Sequence, residues 1–293
     1  MNAEHKAQPI GYLYLMPALI VFLLFWIVPL MMVAGFSLFH FEYGTHPTWV
    51  GLSQYVSLFQ TNLFWQSVRI TFEFAIAVVL GGTAISLLFA TLLYSGLRAQ
   101  GLFRSLFFLP YVMPVVATST VWLWMYQPNL GLVDQLLGAL GFSNKIGWVN
   151  TPNLALVSLI IYTVWLSFGF TTLLFMAGLT NISNELTEAA AVDGATAWQR
   201  FWRITWPLLS PTTFFVLVVN MINSFQAFTQ IYALTRGGPI NGTTTLTYYI
   251  YQTAFNYFHF GQASAIAVIF FLLILALTGI QFWISRRSVF YEA

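Results

Sequence analysis

The side chains best suited to chemistry in this chain stand on helical faces inside long apolar stretches. Two such faces carry amides, hydroxyls or an aromatic ring three and four residues apart: Thr163, Ser167 and Phe170 in one stretch, and Asn220, Asn223 and Ser224 in a later one. Residues at these spacings share one side of a helix. Amides and hydroxyls beside an aromatic ring suit a ligand with many hydroxyl groups and an apolar ring face, which is the chemistry of a sugar.

The same residues have a second interpretation, as contacts between helices. Ser, Thr and Asn side chains form hydrogen bonds across helices in membranes, and each such bond contributes under about 1 kcal/mol. Gln226 and Gln230, just beyond the later face, are compatible with either interpretation. Both interpretations stay open at this point.

Charged residues are absent from the stretches that carry these faces. No Asp, Glu, Lys or Arg occurs between Lys145 and Glu185, or between Arg203 and Arg236. A phosphorylated or carboxylated ligand would find no cationic partner there, although a second subunit could supply one. The pattern therefore favours an uncharged ligand.

The surrounding elements are those of a polytopic membrane protein. Hydrophobic residues make up 59% of the chain and charged residues 6%, whereas soluble domains contain roughly 25% charged residues. A helix needs about 20 apolar residues to cross a bilayer. Six stretches qualify: 12–38, 70–95, 105–126, 154–178, 208–234 and 262–284. We therefore expect an all-α membrane protein with six transmembrane helices, forming a single domain over residues 1–293.

The positive charges predict how the spans are oriented. Seven of the 10 basic residues fall on one side of the six-span arrangement: Lys6, Arg98, Arg104, Arg200, Arg203, Arg286 and Arg287. Arg69, Lys145 and Arg236 fall on the other side. Because Lys and Arg concentrate in cytoplasmic loops, both termini and the loops 96–104 and 179–207 are expected in the cytoplasm. Arg69 and Glu73, spaced i, i+4, predict a local ion pair rather than a ligand site.

Several kinds of chemistry are excluded by residue content. The chain has no cysteine, so it has no disulfide or thiolate site. No phosphate-binding loop of the G-x-x-x-x-G-K-[ST] type is present, and the spans lack the ionisable relay of a proton-coupled carrier. We expect no enzyme activity and no cofactor in this chain. A stand-alone channel, a secondary carrier and a respiratory subunit remain as alternatives.

The longest polar segment, residues 181–207, predicts two short helices joined by a turn. Ser183 or Asn184 can cap the first helix, and Gly194 supplies the left-handed conformation that ends it. Thr196 and Gln199 form a capping box that opens the second. One face of the second helix combines apolar and aromatic residues with a threonine: Trp198, Phe201, Trp202 and Thr205. Such a segment suits either docking of a partner or contact with lipid headgroups.

The order of residues in this segment resembles the EAA loop of ABC-importer permeases. The matching positions are Glu188, Ala189, Ala190, Asp193, Gly194, Ala195, Ile204 and Pro207. Further segments resemble the carbohydrate-type branch, which contains the maltose F-type and the glycerol-3-phosphate A-type permeases. They are Trp49–Tyr55, Leu109–Tyr111, Leu234–Pro239, Thr243–Thr245 and Tyr249–Tyr251.

This resemblance implies a type I ABC importer permease fold in a bacterial plasma membrane. It implies that a cytoplasmic ATPase docks on the loop, with Glu188, Ala189, Ala190, Asp193, Gly194 and Ala195 as coupling residues. ATP and Mg would be bound by that ATPase dimer and not by this chain. The expected partners are the ATPase dimer, a second permease subunit and an extracytoplasmic solute-binding protein.

The resemblance also bears on the ligand. The sugar-contacting residues of the family fall on the same two spans as the polar faces described above, which supports those six residues as the solute site. The absence of charge favours an uncharged sugar, oligosaccharide or glycoside over glycerol phosphate, which stays as the alternative.

Overall fold

The computed structural model describes residues 9–94, 100–142 and 146–288, and these are mostly helical. They form two compact units. One contains the described residues up to Thr61 together with Ile250–Phe271, and the other contains Asn62–Tyr249 together with the described residues from Leu272 onward. The expectation of a single domain stays a prediction. Lys6, Arg98 and Lys145, which were used to orient the chain, lie outside the described residues.

The first unit begins with a continuous apolar helical segment. It consists of α1 (Pro9–Phe22), a π-helical turn (Leu23–Ile27) and α2 (Val28–Phe36). Its mean hydropathy reaches 2.7 over Tyr14–Phe36, and none of the side chains in this stretch is buried within the chain. A helix that is apolar on all sides and exposed in its own chain is typical of a membrane span.

A short hairpin follows this segment. β1 (Phe39–His40) pairs antiparallel with β2 (Thr48–Trp49), and α3 (Ser53–Phe59) comes next. Within the same unit, the backbone N–H of Tyr43 donates to the Phe258 carbonyl at 3.1 Å. A Cβ atom at Gly261 would lie 2.1 Å from the Phe39 carbonyl oxygen, so this close approach requires glycine.

The second unit contains the helices that position the candidate site. In chain order they are α4 (Asn62–Tyr94), α5 (Gln100–Val112), α6 (Val115–Met125), α7 (Leu132–Ala139), α8 (Pro152–Thr180), α9 (Asn184–Val192), α10 (Ala197–Arg200), α11 (Trp206–Leu208), α12 (Ser210–Phe225) and α13 (Thr229–Leu234). A π-helical turn, Phe201–Thr205, joins α10 to α11. Two last helices, α14 (Leu246–Tyr251) and α15 (Phe260–Ser288), contribute residues to both units, and a π-helical turn, Gln252–Asn256, lies between them.

The parallel pair α4 and α8 is the centre of the second unit. Gly81 lies opposite Val164, and five residues further along Ser86 donates to the Phe168 carbonyl at 2.9 Å. Small residues let other helices approach α8 closely, as membrane helix packing favours. At Gly169 an added Cβ would overlap the Phe107 carbonyl of α5.

Among the described residues, four helical segments are by length and composition able to cross a membrane singly: Tyr14–Phe36, Asn62–Tyr94, Pro152–Thr180 and Phe260–Ser285. Six are obtained if each of two bent helix pairs counts as one span. The helix of the second span begins at Asn62, earlier than the predicted residue 70. The prediction began late because the first two turns of this helix are more polar than a lipid-facing segment.

Two predicted spans are not the straight helices expected from the sequence. The span predicted at 105–126 bends by 98° between α5 and α6, because Pro114 has no N–H to donate and disfavours a helical conformation at Met113. The span predicted at 208–234 bends by 65° where α12 begins. It also ends at Phe225, where the freed carbonyl of Ala227 accepts a hydrogen bond from Thr247 at 2.6 Å.

Candidate functional site

A cavity of about 220 Å³ lies among α4, α5, α6, α8, α12 and α13. Its lining combines aromatic, apolar, hydroxyl and amide side chains: Val78, Tyr111, Val115, Thr163, Leu166, Ser167, Phe170, Asn220, Asn223, Ser224 and Gln230. The structure therefore brings all six predicted ligand residues to one space. Sequence reasoning put them on two helices but did not establish that the two faces meet.

The hydroxyl groups of Thr163 and Ser167 on α8 already donate hydrogen bonds to the backbone of their own helix. Thr163 donates to the Leu159 carbonyl at 2.8 Å, and Ser167 donates to the Thr163 carbonyl at 2.9 Å. A hydroxyl has one proton to donate and further lone pairs that accept. Towards the cavity, these two side chains therefore present acceptors for hydroxyl groups of a ligand.

The two amides on α12 differ in their surroundings. Asn220 pairs with Thr171 of α8, with its Nδ2 3.3 Å from Thr171 Oγ1. Asn223 is exposed, and no hydrogen bond engages its amide within the described part of the chain. Asn220 thus contributes to the contact between helices, whereas Asn223 is available to a ligand.

An aromatic wall closes one side of the cavity. Tyr111 of α5 and Phe170 of α8 stack with ring centroids 4.6 Å apart and planes inclined by 10°. Tyr111 was not predicted as a ligand residue. Its sequence signals were its position next to Pro110 and its place in the Leu109–Tyr111 segment that resembles the carbohydrate-type permeases.

The loop 181–207 folds as two capped helices, as predicted. Ser183 Oγ accepts from the Glu185 N–H at 3.2 Å, and Gly194 has φ +83°. In the capping box, the Thr196 N–H donates to Gln199 Oε1 at 2.9 Å and the Gln199 N–H donates to Thr196 Oγ1 at 3.3 Å. The outer surface of the loop is exposed, Val192 by 88% and Trp198 by 72%. An exposed, well-ordered apolar surface of this kind suits contact with a partner.

The predicted shared face of the second helix is only partly correct. Trp198 and Trp202 are exposed and pack edge to face at 5.5 Å. Phe201 and Thr205 instead line a cavity of about 160 Å³ behind the loop. The π-helical turn over Phe201–Thr205 adds residues to one turn, which shifts the spacing that the sequence analysis assumed.

Arg200 forms a hydrogen bond between the two loop helices. Its Nη1 donates to the Thr187 carbonyl at 3.5 Å. Tyr94, at the end of α4, contacts Asn184 through its hydroxyl, 3.2 Å from Asn184 Oδ1. Arg200 thus connects the second loop helix to α9, and Tyr94 connects α9 to α4. Together the two contacts form a path from the loop to the spans.

Asp134 was missed by the sequence analysis. It is fully buried in the 127–153 segment, and its carboxylate accepts hydrogen bonds from Trp148 Nε1 at 2.7 Å and from the N–H groups of Asn129 and Ile146 at 3.0 and 3.2 Å. Burial raises the pKa of Asp134, but the three hydrogen bonds outweigh it and hold the pKa below its ordinary value. The ionised carboxylate therefore organises this segment.

Other charged groups form local contacts. The predicted pair is present, with Arg69 Nε 2.6 Å from Glu73 Oε1. Glu42 Oε1 lies 3.7 Å from His40 Nε2 and 3.6 Å from His259 Nε2. Over residues 9–94, 100–142 and 146–288, no group of three or more His, Asp or Glu side chains is placed to hold a metal ion.

Comparison with known proteins identifies the family. Residues 82–289 match the family described as the inner membrane component of binding-protein-dependent transport systems. The chain belongs to this family. It is 37% identical over 287 residues to the probable ABC transporter permease protein YesP of Bacillus subtilis, covering 97% of this chain and 92% of the relative.

Further relatives are permeases with named solutes. The trehalose/maltose permease MalF of Thermococcus litoralis is 34% identical, with 97% of this chain and 96% of the relative covered. The sn-glycerol-3-phosphate permease UgpA of Yersinia pestis is 34% identical, with 96% and 95% covered.

Solved structures share the fold. A bacterial ABC transporter involved in the import of the acidic polysaccharide alginate aligns with a TM-score of 0.83 at 24% identity, covering 95% of each chain. A bacterial alginate transporter in complex with an alginate pentasaccharide-bound periplasmic protein aligns with a TM-score of 0.85 at 23% identity, covering 97% of this chain and 96% of the other.

These findings confirm the permease prediction. The chain is an inner-membrane component of an ABC importer, a transport subunit rather than an enzyme, with the importer permease fold. The alternatives of a stand-alone channel, a secondary carrier and a respiratory subunit no longer apply.

Proposed function

We propose that this permease translocates a neutral sugar or sugar-like solute through the cavity between α8 and α12. The observation that carries the proposal is the convergence of six side chains on one cavity: Thr163, Ser167, Phe170, Asn220, Asn223 and Ser224. Together they supply acceptors, an amide with both donor and acceptor groups, and an aromatic face.

This arrangement matches the surface of a sugar ring. The ring's hydroxyl groups would donate to Thr163 and Ser167, whose own protons are used by the helix backbone. Asn223 would exchange a donor and an acceptor with a pair of hydroxyls. The apolar face of the ring would rest against the stacked Tyr111 and Phe170.

Glycerol phosphate is the second candidate, because UgpA is among the relatives. A phosphate group requires a cation or several N–H donors. None of the side chains that line the cavity is cationic. This favours a neutral solute over a phosphorylated one.

The energy for transport would come from a partner. In this proposal an ATPase dimer docks on the loop from Glu188 to Ala195, with Glu188, Ala189, Ala190, Asp193, Gly194 and Ala195 as its coupling contacts. ATP and Mg would be bound by the ATPase and not by this chain. Movement of the docked loop would be transmitted through Tyr94 and Arg200 to the spans.

The remaining partners follow from the same scheme. A second permease subunit would complete the pathway, and an extracytoplasmic binding protein would deliver the solute and favour the outward-facing state. Both termini and the loop 179–207 would lie in the cytoplasm. The segments 127–153 and 235–245 would then face the opposite side.

Two measurements test the proposal. The tagged chain is purified in mild detergent and its co-purifying subunits are identified by mass spectrometry, and the purified complex is then assayed for ATP-dependent uptake of maltose, trehalose and glycerol 3-phosphate in liposomes. We expect an ATPase, lost when Glu188 and Gly194 are changed, and uptake of a neutral sugar. A stable homo-oligomer that takes up solute without an ATPase would contradict the coupling scheme, and selective uptake of glycerol 3-phosphate would contradict the neutral solute.

A further inference from the structure

A second and larger cavity lies between the N-terminal parts of α4 and α8, two helices that also line the first cavity. Its volume is about 340 Å³, compared with about 220 Å³ for the cavity described above. Ligand pockets in proteins usually measure about 300–1,000 Å³, so this second space, which we call the outer cleft, is large enough for a sugar ring. Its polar lining comes from Gln66, Arg69, Glu73 and Asn153.

The Arg69–Glu73 ion pair supplies hydrogen-bond donors and acceptors to the outer cleft. Arg69 donates through Nε to one oxygen of Glu73 at 2.6 Å. The side chains remain 77% and 44% exposed, which leaves the other guanidinium N–H groups and the second carboxylate oxygen accessible. Adjacent donors and acceptors match vicinal hydroxyl groups, each of which both donates and accepts. The pair has no net charge, so a neutral ligand meets no repulsion, whereas an anion would face Glu73.

The opposite wall is formed by Ile240 and Gly242 of the 235–245 segment. Within this segment Thr243 Oγ1 donates to the Gly238 carbonyl at 2.7 Å, and Thr244 Oγ1 donates to the Gly237 carbonyl at 3.0 Å. An added Cβ at Gly242 would lie 2.9 Å from the Pro239 carbonyl oxygen. These contacts within the segment set the shape of this wall.

Ile240 stands at the rim of the outer cleft in a strained conformation. Its φ is +49°, which is unusual for a β-branched residue and costs free energy. Its side chain is 84% exposed. Strain of this kind persists where it positions a side chain for use, and here it presents an apolar surface beside the polar pair. A sugar ring has the same combination of an apolar face and a polar edge.

One face of α8 borders both cavities. Leu156 lines the outer cleft, and Thr163 lines the cavity of about 220 Å³ described above, which we call the central cavity. Seven residues make two helical turns, so these side chains share a face and are separated by a rise of about 10 Å. A solute in the outer cleft would therefore lie about 10 Å along α8 from the central cavity.

We propose that the outer cleft is a second solute subsite, which holds one ring of a neutral sugar before the central cavity receives it. This inference rests on the proposed function, since it takes the transported solute to be a neutral sugar. In the proposed orientation, the cleft opens on the extracytoplasmic side.

Cysteine protection tests the subsite directly, because the chain contains no cysteine of its own. Asn153→Cys reports on the outer cleft and Asn223→Cys on the central cavity. Ala139→Cys, exposed on α7 and not part of either lining, is the control. The purified complex is labelled with a hydrophilic maleimide with and without millimolar maltose or trehalose. We expect slower labelling of Asn153→Cys and of Asn223→Cys, and no change at Ala139→Cys.

The outcomes separate this inference from the proposed function. Protection at Asn223→Cys alone would overturn the outer subsite and leave the proposed function standing. Protection at Asn153→Cys alone would support the subsite and overturn the central cavity as the solute site. Protection at neither position by maltose or trehalose would overturn both.

Two variants, each of which removes one charge of the Arg69–Glu73 pair, test the role of the ion pair. Arg69→Gln and Glu73→Gln, each in the Asn153→Cys background, should raise the maltose concentration needed for protection about three- to tenfold, the effect of losing one net hydrogen bond. In Glu73→Gln, D-glucuronate should begin to protect, since Arg69 is then unpaired. Unchanged maltose protection in both variants, with a normal gel-filtration profile, would overturn the subsite. Protection by D-glucuronate with Glu73 intact would overturn the neutral ligand.

Discussion

Tyr111 and Phe170 stack almost face to face, with ring centroids 4.6 Å apart, although they belong to different helices. Tyr111 lies in the last turn of α5, and α5 approaches α8 closely at Gly169, where an added Cβ would overlap the Phe107 carbonyl. This close packing of α5 on α8 brings the two rings together at the wall of the cavity, just before the 98° bend between α5 and α6.

The aromatic wall makes a first prediction. Phe170→Ala should raise the KM for sugar uptake about tenfold, since it removes one ring of the aromatic wall and leaves Tyr111 without its stacking partner, an aromatic pair contributing about 0.5–1.5 kcal/mol. Tyr111→Phe keeps the ring and should leave KM within about twofold. Uptake kinetics in liposomes, normalised to the amount of inserted protein, measure both. An equal loss in the two variants would assign the effect to the Tyr111 hydroxyl instead.

Asn220 and Asn223 of α12 should have different roles, one in helix packing and the other in solute binding. Asn220→Ala removes the contact with Thr171 and should lower thermal stability by under about 1 kcal/mol, as for other hydrogen bonds between membrane helices. Asn223→Ala removes no such contact and should instead weaken solute binding about three- to tenfold. Thermal unfolding and uptake KM are measured for each. A fall in stability without a change in KM for Asn223→Ala would assign that residue to helix packing.

The helix caps of the loop 181–207 were predictable at the level of single residues, because caps depend on neighbours within a few positions. Thr196 and Gln199 are three residues apart, and Gly194 needs only its own backbone freedom to end α9. The polar faces of α8 and α12 were predictable for the same reason, since residue spacing alone decides which side chains share a helical face.

Features that depend on distant contacts were not predictable. Tyr111 reaches the cavity because α5 packs closely on α8 at Gly169, a contact between residues far apart in the sequence. Asp134 is one acidic residue in a polar segment, and its burial depends on Trp148, 14 residues away. Trp202 is exposed and Phe201 lines a cavity because both lie in a π-helical turn. Regular helical periodicity does not predict such a turn.

Gly194 provides a prediction about coupling. Its φ of +83° places it in the left-handed region, while the space around an added Cβ is open. Gly194→Val should therefore act only through the backbone, at a cost of about 1–2 kcal/mol, by changing the angle between α9 and α10. We expect ATP-dependent uptake to be largely lost while the protein stays in the membrane at normal abundance. Gly194→Asn is the matched control, because Asn tolerates this conformation, and it should retain most uptake. Full uptake in Gly194→Val would show that the angle is not used for coupling.

Asp134 makes the final prediction, on stability. Asp134→Ala leaves the Trp148 indole and two backbone N–H groups without their acceptor, which should destabilise the segment by about 2–3 kcal/mol. Because the folded pKa lies below the ordinary value of 3.8, the carboxylate stabilises the fold fully above that pH, and the contribution is lost as pH falls below 3.8 through the lowered folded pKa. Limited proteolysis of the 127–153 segment as a function of pH measures this. The segment should become sensitive in the native protein only at acidic pH below 3.8 and in Asp134→Ala at every pH. Resistance of the variant near neutral pH would mean that other contacts, and not the carboxylate, hold this segment in place.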